Sequence, residues 1–139
     1  MTNLVSRRAF LKGSGALIVA VGAAPRILAQ ATSNIPGNLA GNPSLDIWIQ
    51  INSDGTITIS SGKCELGQGI QTALAQIAAD ELDVDVSRIR MRNVDTSVSP
   101  NEGATTGSNS ANNSGNAIRA AATEARQIML ENAAARLDQ

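Results

Sequence analysis

From Leu45 the chain alternates: Leu45, Ile47, Ile49 and Ile51 fall on one side, Asp46, Trp48 and Gln50 on the other. That period of two marks a half-buried strand. Asn52-Ser53-Asp54-Gly55 supplies turn chemistry, and Thr56 to Ser60 alternates again around Ile57 and Ile59, so a β-hairpin is expected. At Gly69 the period lengthens to that of a helix, with Ile70, Ala73, Leu74, Ile77, Ala78 and Leu82 on one face. Asp83, Asp85 and Ser87 break that run. Arg88 to Val94 then alternates as a third strand, with Ile89 and Met91 inward and Arg88, Arg90 and Arg92 outward. Asp95 to Gly115 is a long polar stretch without a hydrophobic period; a loop of that kind in a compact domain is either functional or disordered. A last helix places Ile118, Ala121, Ala122, Ala125, Ile128, Met129, Ala133 and Leu137 in register, and its many alanines favour helix and close packing. The expected order is β-β-α-β-α, an α+β layer of helices on a sheet, with no internal repeat.

The residues before Leu45 read differently. Arg7-Arg8, Phe10, Leu11 and Lys12 precede an apolar run from Ala16 to Ala24, with small residues at Ala29 and Ala31. This is the pattern of a twin-arginine secretory signal, and residues 1–31 are assigned to it. The apolar run falls short of the roughly 18 residues that a membrane-spanning helix needs, although an uncleaved signal would leave a short apolar anchor and hence membrane association. The twin-arginine route is used by proteins that fold around a cofactor before crossing the membrane, so a periplasmic protein loaded in the cytoplasm is expected. Residues 32–44, polar and rich in glycine and proline, read as a linker. Residues 45–139 then form one small domain with one modest core.

Charge and cysteine content narrow the chemistry. Of eleven basic residues, Arg7, Arg8, Lys12 and Arg26 precede Leu45, leaving seven against twelve acidic residues, a net of −5 beyond Ser44. With one tryptophan, one phenylalanine and no basic stripe, nucleic-acid binding is not expected. Cys64 is the single cysteine, so no internal disulfide forms and no thiolate metal site is complete; it is either a redox thiol or a small packed residue. There is no histidine to act as a general base, and Asp80 with Glu81 reads as the polar edge of a helix.

Two glycine-rich turns remain. Gly67-Gln68-Gly69 stands where free N–H groups and the positive end of a helix dipole face outward, and the glycines let a ligand approach the backbone. The Gln68 amide both donates and accepts, which suits the mixed edge of a heterocycle. Thr105, Thr106, Gly107, Ser108, Asn109 and Ser110 present hydroxyls and N–H groups ahead of the last helix. Two such helix mouths could grip one polar, phosphate-bearing ligand between them. The plainer alternative is that GxG is a common helix start, that Ser108 and Ser110 cap a helix, and that Glu65 is a surface acid.

"DGTITISSGKCELGQGIQTALAQIAADELDVDVSRIRM" with "TTGSNSANNSGNAIRAAATEAR" resembles the molybdopterin-binding segment of the xanthine dehydrogenase and aldehyde oxidase family, in particular the β subunits of isoquinoline 1-oxidoreductase-type enzymes. The likeness runs from about Pro43 to Leu137. It implies that Gln68, flanked by Gly67 and Gly69, contacts the pyranopterin. It also implies that Gly107, Ser108 and Ser110 line the pterin and phosphate end of a molybdopterin cofactor, in its plain or its cytosine dinucleotide form. The cofactor's own dithiolene holds the metal in that family, so no protein metal ligand is implied. Hydroxylation of an aldehyde or N-heterocycle with oxygen from water is implied, as are an iron-sulfur subunit and further segments of the molybdenum subunit as partners. Family subunits are several times longer, and their base glutamate stands on a segment that this chain lacks. Neither Glu65 nor Glu102 matches it, and no catalytic residue is assigned. The chain is expected to be an N-terminal fragment, a split-gene subunit or a truncated product; a stand-alone exported pterin- or phosphate-binding module, and a fragment without function, are the alternatives.

Overall fold

The computed structural model describes residues 37–137, so the twin-arginine segment and the first part of the linker lie outside the described residues. The sheet has three strands in the order β1 (Ile49–Ile51), β2 (Ile57–Ile59), β3 (Ile89–Met91). β1 and β2 form the expected antiparallel hairpin, with Ile49 opposite Ile59 and Ile51 opposite Ile57. Gly55, at φ 84°, closes the turn by donating its N–H to the Asn52 carbonyl. β2 and β3 run parallel, Ile57 beside Ile89 and Ile59 beside Met91. Parallel neighbours need a crossover, and the helix α2 (Ile70–Leu82) makes it. A longer helix, α3 (Ser110–Leu137), packs against α2.

The core lies where the two helices meet the sheet. Ile49, Ile57, Ile59 and Ile89 come from the strands, Ile70, Leu74, Ala78 and Leu82 from α2, and Ala117, Ile118, Ala121, Ala122 and Ala125 from α3. Alanines on α3 let the helices approach, and Gly115 marks the tightest point, where an added Cβ would stand 3.0 Å from Ile77 Cδ1. Beyond Ala125 the helix leaves the core gradually: Ile128 and Met129 still pack against its edge, and Leu130 and Leu137 are exposed.

Three expectations are corrected. The alternation from Leu45 does not make a strand from the start: Leu45–Trp48 is one helical turn, α1, and β1 begins only at Ile49. A helical turn brings residues three apart onto one face, so Leu45 and Trp48 are both buried where period two sends Trp48 outward. The indole N–H reaches the Asn42 carbonyl at 2.9 Å, which meets the polar requirement of a fully buried tryptophan. Next, Arg88 closes a 3-10 turn (Val86–Arg88), capped by the Asp85 carboxylate accepting from Ser87 N–H, and does not belong to β3. Its guanidinium holds the Gly55 carbonyl at 2.9 Å, and that of Arg92 holds Gln50 at 3.0 Å; Arg90 is exposed. Finally, the polar stretch ends at Asn109, because α3 takes in Ser110 to Gly115 as its first turns.

Residues 37–42, read as the end of the linker, are tied to the domain. Asn38 and Asn42 donate to Glu102 and to the Asn101 carbonyl, and Leu39 packs against the core.

Candidate functional site

The first glycine-rich turn links β2 to α2. Cys64 to Gly69 are all exposed, so burial does not shape this loop. Its shape is held by polar bonds. One Glu65 oxygen accepts the N–H of Gly67 at 2.8 Å and of Gly69 at 3.0 Å, and the other accepts that of Gln71 at 3.1 Å. These bonds, that of Gln71 first and that of Gly69 next, hold the Glu65 carboxyl below the usual glutamate range. The open anion site expected at the mouth of α2 is therefore filled by the chain's own carboxylate, which complements the helix dipole there. Gln68 closes a second ring: its Nε2 donates to the Cys64 carbonyl at 2.9 Å and its Oε1 accepts from Leu66 N–H. Each amide group keeps one further hydrogen or lone pair for a ligand. Gly67 and Gly69 sit at φ 92° and 77°, with nothing within 4 Å of an added Cβ, so the backbone between them is open.

The second turn leads into α3. Gly107 and Ser108 take φ 65° and 57°, and Ser110 is the first residue of the helix. A serine in the left-handed region is uncommon. The Asn113 N–H bonds to the Asn109 carbonyl, and that of Asn109 to Thr106. Among the described residues, the N–H groups of Gly107, Ser108, Ser110, Ala111 and Asn112 have no partner. Here the helix mouth is open.

The two turns are joined side by side. Cys64 N–H donates to Thr105 Oγ1 at 2.9 Å, and the buried Lys63 ammonium donates to the carbonyls of Glu102 and Ala104 at 2.7 and 2.9 Å. Beneath this seam lies Glu102, only 7% exposed. Its Oε1 accepts from Asn38 Nδ2 at 2.8 Å and Ser114 Oγ at 2.6 Å, and its Oε2 from Ser61 Oγ at 2.6 Å and Gly62 N–H at 2.7 Å. Four donors match the acceptor capacity of one carboxylate and tie three segments together. Gly62 has to be glycine, since a Cβ there would collide with the Pro100 carbonyl oxygen. No hydrogen bond among the described residues links Gln68 to Gly107, Ser108 or Ser110; the seam brings their loops together, not their side chains.

Sequence reasoning missed Lys63, named Glu65 only as a surface acid, and named Glu102 only to set it aside as a base, so the structural role of all three was not foreseen. An acid just before a helix start is a readable signal, because it complements the dipole. A lone Glu102 in a polar stretch carries none.

A family model described as the molybdopterin cofactor-binding domain matches residues 6–139. Among curated proteins, one of the subunits of nicotinate dehydrogenase from Pseudomonas putida is 41% identical over 93 residues, covering 67% of this chain and 8% of that protein. The beta chain of isoquinoline 1-oxidoreductase from Brevundimonas diminuta is 36% identical over 93 residues, covering 66% of this chain and 12% of that protein. Aldehyde oxidase 3 of Rattus norvegicus is 38% identical over 71 residues, covering 51% and 5%. The chain thus spans about a tenth or less of the length of these relatives. No solved structure matches it.

Proposed function

Since the chain belongs to the molybdopterin cofactor-binding domain family, we propose that it forms one wall of the cofactor site in an exported molybdenum hydroxylase completed by further polypeptide. The observation that carries this reading is the seam: Cys64 bonded to Thr105 and Lys63 to Ala104 set two loops with open backbone side by side.

The residues fit such a group. At Gly67, Gly69 and Gly103 nothing lies within 4 Å of an added Cβ, so a flat ring can lie against the main chain. The anionic end belongs at the second turn, where N–H groups are unpartnered and Ser108 and Ser110 add hydroxyls. At the first turn Glu65 already fills the helix mouth, which leaves the neutral Gln68 amide as the recognition group for the heterocycle. Gln68 binds and orients, and Gly67 and Gly69 grant close approach. Gly107, Ser108 and Ser110 bind the phosphate end, which in the cytosine dinucleotide form is a diphosphate. When bound, the cofactor supplies the redox centre at which an aldehyde or N-heterocycle is oxidised with oxygen from water. The proton-moving base and the iron-sulfur electron path belong to partner segments.

Export by the twin-arginine route, carried by Arg7-Arg8 and the apolar run after it, follows from the same reading: the cofactor is loaded before the chain crosses into the periplasm. Changing both arginines to lysine leaves the assembled enzyme in the cytoplasmic fraction. Release of that variant into the periplasm argues against the route.

The central test is co-expression of the chain with candidate partner subunits, followed by measurement of bound molybdenum and cytosine nucleotide. Gln68→Ala lowers molybdenum content while the domain stays folded. Full metal content in that variant removes Gln68 from the contact, and an assembled complex that contains neither molybdenum nor pterin overturns the proposal.

A further inference from the structure

We propose that Glu65 is a positioning residue for the Gln68 contact, fixing the Gly67–Gly69 turn in the form that presents the amide; the inference rests on the reading of Gln68 given above. The reasoning is by elimination. A loop can be held by packing, by burial or by polar bonds. Leu66 at its tip is 74% exposed, and nothing lies within 4 Å of an added Cβ at Gly67 or Gly69, so packing does not hold it. Both glycines sit at positive φ, a region glycine leaves readily, because it has little backbone preference of its own.

What remains is hydrogen bonding, and it is concentrated on one carboxylate. Three N–H groups, from Gly67 and Gly69 in the loop and Gln71 in the first turn of α2, end on Glu65. The other internal bonds are those of Gln68 itself, whose amide keeps a further hydrogen and lone pair for a ligand. Glu65 is therefore the fixed half of the loop and Gln68 the working half. A single side chain that accepts from both glycines also sets the direction of the peptide groups between them, and hence where Gln68 leaves the main chain. Asymmetry in the contacts predicts a graded response. One oxygen carries the two glycine bonds and the other only Gln71, so a glutamine at this position can keep the first pair through its carbonyl and lose the third.

The experiment is a mutant cycle in the co-expressed complex, read as molybdenum content, with amide exchange of the full chain as the second readout. Glu65→Ala lowers content about tenfold, the lower end of what losing an orienting partner costs, and speeds exchange at Gly67, Gly69 and Gln71. Glu65→Gln recovers most of the content, and Glu65→Ala adds nothing to Gln68→Ala. Retained content in Glu65→Ala, or losses that multiply in the double variant, overturn the proposal while leaving the Gln68 reading in place. Retained content in Gln68→Ala overturns both, so the two failures are told apart.

Discussion

At the start of α2 the N–H groups of Gly67, Gly69 and Gln71 close on Glu65, whereas at the start of α3 those of Ser110, Ala111 and Asn112 have no partner among the described residues. Both starts follow a glycine-rich polar turn with residues at positive φ, and in sequence they look like two copies of one device. Their electrostatics differ in sign of use. A helix that supplies its own carboxylate has its dipole complemented and presents neutral groups around it; a helix that does not keeps its positive end for an outside anion. Two similar turns thus end in one closed and one open helix start, and one glutamate makes the difference; under the proposed function the closed one would face the heterocycle and the open one the phosphate.

The largest test of this comparison removes the carboxylate that lies beneath the seam both loops share. Glu102→Ala strands the buried Ser61 and Ser114 hydroxyls and the half-buried Asn38 amide and Gly62 N–H, and should cost about 3 kcal/mol, read as a lower denaturation midpoint at unchanged slope. Gly62→Ala attacks the same seam sterically, forcing Pro100 away, for about 2 kcal/mol by the same measurement. A loss below about 0.5 kcal/mol in both would show that the loops do not depend on each other. Ser108→Gly sharpens the contrast from the open side. It relieves a left-handed serine and should raise stability by about 0.5–1 kcal/mol, yet removes a hydroxyl, so molybdenum content falls while the melting temperature rises. A rise in both would remove Ser108 from the contact.

The smallest effect is a pH response at the closed mouth alone. Because folding lowers the Glu65 pKa, its contribution is fully present above the usual glutamate range and is lost as pH falls through the lowered value. Amide protection at Gly67, Gly69 and Gln71 should fade over that acid window. Asn113, whose N–H bonds to a backbone carbonyl, should keep its own. Equal fading at both helices would point to general unfolding.

The fold was legible wherever hydrophobic period decides burial. Ile57 and Ile59, the apolar face of α2, and Ile118 to Ala125 all lie where periodicity sends them. It failed where burial is decided by something else. Trp48 is covered because one helical turn sets it beside Leu45 and its indole finds the Asn42 carbonyl, a bond no hydropathy pattern contains. The first turns of α3 read as loop because Ser114 and Gly115 are small and polar, yet both are buried, one satisfied by Glu102 and the other giving room to Ile77. Gln68 and the second turn were visible as motifs. The seam was not, since Lys63 and Glu102 are 39 positions apart and the contact between them belongs to the tertiary fold, in which β3 lies beside β2.

Lys63 gives that seam a built-in gauge. The chain has two lysines, Lys12 and Lys63, and the amine of Lys63 is buried against two carbonyls. An acylating reagent can reach it only when the loops part, so the slow rate of its modification counts how often they separate. Bound cofactor that spans both loops would make that clock run slower still.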